Sequence, residues 1–244
     1  MTANHAPAQP VMPDHEALRH RAARSIQHPL ARMLLMLTFT TGLVDAVSFL
    51  GLGRVFTANM TGNVVFLGFG IAGGAGLPVV APLVSLGAFL LGAGGGGVLA
   101  DRLGGRHPVH VGYALAIEVS LIGAAAAVAA AVNVRPNAVS GDIVVALLAF
   151  AMGVRNATVR LIGVPDLTTT VLTMTLTGLA ADSPATGGSG EGSVRRIAAV
   201  LAMFTGALAG ALLLKTSLVL PLVAAAGLAL VTWLVYVPAA RQDA

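Results

Sequence analysis

The chain has no cysteine. That removes disulfides, thiolate zinc sites, iron–sulfur clusters and thiol catalysis from consideration. Charge is scarce too: 10% of the 244 residues, with 14 Lys+Arg against 10 Asp+Glu. These charges gather at the ends of apolar runs, so the pI near 10.6 carries topology and not a basic face. No basic stripe with interleaved aromatics exists, and no nucleic-acid partner is expected. Metal-ligand spacing is missing as well: His5, His15, His20 and His28 form no helical ligand pair, and no metal or cofactor is expected. No apolar core of signal-peptide type precedes Leu34.

What is present is hydrocarbon. At 56% hydrophobic residues and a mean hydropathy of +0.86, the chain is too apolar for a soluble domain, and its first partner is the lipid bilayer. Residues 1–30 read as a disordered basic tail, with four Pro, four His and Arg19, Arg21 and Arg24. A span takes about 20 helical residues. Apolar runs of that length lie at about 31–53, 78–100, 109–132, 142–163, 194–214 and 217–238. Two further segments, 57–76 and 167–181, are shorter or more polar, and the Gly/Ser-rich stretch 183–193 reads as a flexible loop.

The order of motifs predicts a duplication, with one membrane unit over 31–132 and another over 142–238. GLVDA at Gly42–Ala46 matches GVRNA at Gly153–Ala157, and MTGN at Met60–Asn63 lies opposite LTMT at Leu172–Thr175. Gly92 and Gly96 correspond to Gly206 and Gly210, pairs four apart that permit close helix packing. GAGGGG, Gly92–Gly97, superficially resembles a nucleotide loop, but it follows no strand and has no phosphate-binding Lys.

Two topologies follow. Eight full crossings give a parallel repeat. Six crossings plus two polar half-membrane helices give an inverted repeat, which the positive-inside rule prefers because only Arg54, Arg135 and Lys215 then lie outside, with the N-terminus cytoplasmic. The fold class is therefore an all-α integral membrane protein, with six transmembrane helices and two polar short helices in two repeats.

The motifs GLVDAVSFLGLGRVFTANMTGN and GVRNATVRLIGVPDLTTTVLTMTLTGLA resemble the YoaK family of bacterial membrane proteins, also described as DUF1275, over about residues 32–238. The resemblance implies a multi-helix protein of the bacterial inner membrane. It supplies no catalytic residues to carry over.

Polar groups inside apolar spans are the candidate site. Asp45 is expensive within a span and has a quasi-equivalent in Asn156. Glu118 either faces the same cavity or pairs with an arginine or a Ser/Thr between helices; Arg155 is expected at a membrane edge or paired with a carboxylate. Asp166 reads first as a helix N-cap and second as an ion ligand. Asn59 and Asn63, four apart, are expected on one face, with Thr61 between them. Thr170, Thr173 and Thr177 are expected on another, beside Thr169. Together these groups offer hydrogen bonds without fixed charge to a small polar solute, and a half-helix N-terminus near Thr57 or Asp166 favours an anionic one. The leading expectation is a secondary transporter or permease that couples to an ion or a proton at a broken-helix site. A membrane scaffold is the alternative. An intramembrane enzyme ranks third, since the only His outside the tail are His107 and His110, in a loop. Oligomeric state and solute identity stay open.

Overall fold

The computed structural model describes residues 28–74, 76–103, 107–164, 167 and 169–242, the side chains of 107, 108 and 239–242 excepted. The expected tail therefore falls outside the described residues up to residue 27. The described residues form eight α-helices and no strand: α1 Pro29–Gly51, α2 Met60–Ile71, α3 Val80–Arg102, α4 His107–Ala131, α5 Val139–Ile162, α6 Thr173–Ala181, α7 Ser193–Leu214 and α8 Val219–Gln242. Six of them, all but α2 and α6, are long and apolar enough to cross a bilayer.

Each boundary has a local cause. Pro29 opens α1 at a position where a missing N–H costs nothing, and His28 Nδ1 accepts from Leu30 N. The helix ends at Gly51, beyond which Gly53 turns at φ 113°. A Cβ there would strike the Asn137 side chain, so both conformation and space call for glycine. Gly163, in the left-handed region, closes α5.

Two helices are central. In the most apolar stretches of α1 and α5, 61% of residues are buried, against 17% in α3 and α7, which leaves the latter pair facing lipid. The packing is reciprocal. A Cβ on Gly206 would overlap the Phe39 carbonyl and one on Gly210 would press on Leu43 and Ala46, so α7 runs parallel to α1. Likewise Gly92 lies against the Phe150 carbonyl and Gly96 against Val154 and Ala157, so α3 runs parallel to α5. Only glycine lets backbones approach this closely.

Helix directions decide the topology. Trp233 Nε1 donates to the Gly112 carbonyl at 2.9 Å, while Ile122 and Ala125 cluster with Leu222 and Ala225; α4 and α8 are antiparallel. Gly51 abuts Leu218 while Met33 clusters with Tyr236, so α1 and α8 are antiparallel as well. His110 meets Thr158 at 3.1 Å, and Ile122 packs in one cluster with Leu148, which makes α4 and α5 antiparallel. It follows that α1 opposes α3 and α5 opposes α7. The chain between α1 and α3 therefore leaves and returns on one face of the membrane, and the chain between α5 and α7 does so on the other.

The eight-crossing alternative does not survive. With 12 and 9 residues, α2 and α6 span only about 18 and 14 Å, well short of the roughly 30 Å hydrocarbon core.

The helix crossings generate a prediction. Gly206→Ala forces a methyl group into the Phe39 carbonyl and is expected to destabilise by about 1–3 kcal/mol. Gly97→Ala, where nothing lies within 4 Å, is expected to be neutral or to stabilise by up to about 1 kcal/mol through helix propensity. Melting of the two variants in the same detergent, followed by retained monodisperse protein, checks the contrast.

Candidate functional site

The first polar segment is held in place by side chains. Asp45 lies six residues before the end of α1, about 9 Å along the axis from that end. Its Oδ1 accepts from the Thr57 and Ala58 amides at 3.1 and 3.0 Å. Asn59 then caps α2 through Oδ1, accepting from Gly62 N. Asn63 serves a different group: its Oδ1 accepts from Phe56 N at 2.8 Å, and its Nδ2 donates to the Phe56 carbonyl at 2.7 Å and to Ser85 Oγ at 3.1 Å. Ser85 Oγ donates to the same carbonyl at 2.7 Å. The backbone of Phe56, which no helix serves, thus finds its partners in side chains of α2 and α3.

The second segment is tied by Asn156, on the last two turns of α5. Asn156 Oδ1 accepts from Thr170 Oγ1 at 2.7 Å, while its Nδ2 donates to the Met152 carbonyl. Thr169 just before it is buried, in the left-handed region at φ 62°.

Between these two segments lies a cavity of about 540 Å³. Asp45 and Asn59 face it from one side, Thr170 and Thr173 from the other. Phe49, Phe56, Leu172 and Met203 are among its apolar walls, and Gly42 and Ala207 mark the α1–α7 crossing beside it. Segments that enter from opposite faces of the membrane meet here.

Several sequence expectations part from this arrangement. Asn59 and Asn63 do not share a face, because α2 begins only at Met60; Asn59 lines the cavity and Asn63 is buried against Phe56 and Ser85. Thr61 is exposed and is not among the cavity-lining residues. The helical face of Thr170, Thr173 and Thr177 is also absent, since α6 starts at Thr173. Thr177 is exposed and its hydroxyl donates to the Thr173 carbonyl at 2.9 Å. His110 lies within α4 and not in a loop. Asp166 lies outside the described residues.

Glu118 does not line the cavity. It pairs with Arg155: Arg155 Nε donates to Oε2 at 2.8 Å and Nη2 to Oε1. Arg155 Nη1 donates to the Leu37 carbonyl at 2.9 Å and to Thr41 Oγ1 at 2.7 Å. Both ionic side chains are about 1% exposed. The sequence reading omitted Thr41, Ser85, Phe49 and Phe56. Phe49 was within reach, since it follows Asp45 by four residues on α1 and so shares its face.

Breaking the buried pair gives a second prediction. Glu118→Gln leaves Arg155 uncompensated and is expected to destabilise by about 3–5 kcal/mol, while the double variant Glu118→Leu/Arg155→Leu recovers most of that loss. Unfolding in mixed micelles across the double-mutant cycle measures both.

Comparison with known proteins agrees with the membrane architecture. A family model described as "Protein of unknown function (DUF1275)" matches residues 33–235. The UPF0700 transmembrane protein YoaK of Bacillus subtilis (strain 168) is 33% identical over 155 residues, which take in 62% of this chain and 65% of that protein, slightly under two thirds of the relative's length. No solved structure matches the chain. With most of the membrane-spanning region inside the match, the chain belongs to the DUF1275 family.

Proposed function

We propose that the protein is a secondary transporter or permease of the bacterial inner membrane for a small polar solute, acting as a carrier and not as an enzyme. One observation carries this reading: the cavity is walled by two short polar segments that enter from opposite faces, and among the described residues Asp45 is the one titratable side chain lining it. Interrupted backbone at membrane depth is tolerated where it lines a water-filled cavity, and paired broken helices are how many transporters build a midplane site. Asp45 also supplies the point at which movement couples to a proton or other ion.

The reading includes an inverted duplication, 31–132 and 142–238. It is supported by matched contacts: Gly206 on Phe39 with Gly92 on Phe150, and Asp45 with Asn156, each binding the polar segment that follows its own helix. Orientation follows from charge. Arg32, Arg102, Arg160, Arg195 and Arg196 lie toward the α1 N-terminal face, and Arg54, Arg135 and Lys215 toward the other, so the N-terminal face is assigned to the cytoplasm.

A scaffold role has its own support, because Asn63, Glu118 and Arg155 all serve packing. Solute counterflow in proteoliposomes separates the two. A carrier shows exchange that Asp45→Asn reduces at least tenfold with unchanged melting, whereas a scaffold shows none with any solute tested. For orientation, Ser189→Cys is expected to react with an impermeant maleimide only from the cytoplasmic side, and Thr216→Cys only from the outside. Labelling of both from one side overturns the six-span alternation.

A further inference from the structure

We infer that the cavity selects an organic cation, a protonated amine with an apolar body, and excludes anionic solutes. The inference rests on the cavity being the solute site proposed above.

Consider first what an anion would find. The Thr57 and Ala58 amides, which a half-helix entrance would offer to it, are both donated to Asp45 Oδ1. The Gly62 amide donates to Asn59 Oδ1. Arg155 donates to Glu118, the Leu37 carbonyl and Thr41, and is not a lining residue. The amides just ahead of α2 are thus taken by the protein's own carboxylate and the Gly62 amide by Asn59, and no cation lines the cavity among the described residues.

A cation finds the reverse. Among the described residues Asp45 carries the only formal charge in the lining, since Asn59, Thr170 and Thr173 are neutral. One turn away stands an aromatic wall: the rings of Phe49 and Phe56 stack at 4.9 Å between centroids, and Phe66 lies 5.9 Å from each. The carboxylate and the two lining rings, Phe49 and Phe56, together match an ammonium group on an apolar body, which is drawn to both. A cation that needs many oxygen ligands fits poorly. Calcium takes six to eight oxygen ligands, whereas the walls here are mainly apolar, with Leu50, Leu176 and Met203 among them. The volume of about 540 Å³ suits a small organic molecule.

The test uses three probes of one shape: 2-phenylethylammonium, 2-phenylethanol and 3-phenylpropionate, titrated calorimetrically at pH 7 into the full chain in nanodiscs. The ammonium is expected to bind at least tenfold more tightly than the other two. Asp45→Asn, which keeps the oxygen acceptor for Thr57 and Ala58, is expected to remove that preference. Phe49→Leu leaves the carboxylate in place and is expected to weaken the ammonium by about 2- to 30-fold, the range of a cation–π contact. Equal or tighter binding of the carboxylate or the alcohol, no binding of the ammonium, or an unchanged preference in Asp45→Asn overturns the inference. If Asp45→Asn fails to fold, the three-probe comparison on the native chain and the Phe49→Leu titration decide. Ammonium binding without counterflow in proteoliposomes overturns the transport reading and leaves the selectivity standing; counterflow of the carboxylate without ammonium binding does the opposite.

Discussion

An arginine in the middle of a bilayer protein must be answered by a carboxylate and by carbonyl or hydroxyl oxygens, and Arg155 has all of these. The pair with Glu118 lies between two apolar clusters, one built from residues such as Leu43, Ile122 and Met152, the other from Leu37, Leu115 and Val159. Charges buried so deeply are kept only if geometry is closely held, because an orphaned partner would carry a penalty of several kcal/mol. That constraint fixes the rotation of three helices together. With Arg155 turned toward Glu118, the next residue, Asn156, reaches Thr170 of the second polar segment. With Thr41 turned toward Arg155, Asp45 one turn later meets the first segment.

Close helix approach complements the ion pair. Glycines on α3 and α7 bring backbones against α5 and α1, and the volume otherwise taken by side chains is absent at those crossings. This draws the central helices tight while the lipid-facing surfaces of α3 and α7 stay apolar, as the exposed Leu90, Leu91, Phe204 and Leu208 attest. The polar interior and the hydrocarbon exterior are thereby separated by one helix layer. The first short segment ends within that layer because its backbone groups are met by Asp45, Asn63 and Ser85.

Much of this architecture was legible in the chain itself. Each span was visible because hydropathy adds up residue by residue over a length set by the bilayer, and the six runs coincide with the six long helices within a few residues. The glycine pairs and the GLVDA/GVRNA match could be read for a similar reason: they are local in sequence. The candidate site was legible only in part. Asp45, Asn59, Thr170 and Thr173 do line one cavity, while Asn63 and Glu118 are engaged in packing.

The difference has one cause. Hydropathy and spacing determined that the chain is a membrane protein, where it crosses, and which buried polar groups need partners. They contain no information on which partner each group takes, because Glu118 and Arg155 stand 37 positions apart and Asn63 and Ser85 stand 22 apart. Helix rotation and the start of α6 at Thr173 made those choices, and both are settled by packing across the bundle. Sequence set the depth of the polar groups; tertiary structure alone decided which of them face the cavity, since side-chain direction depends on neighbours distant along the chain.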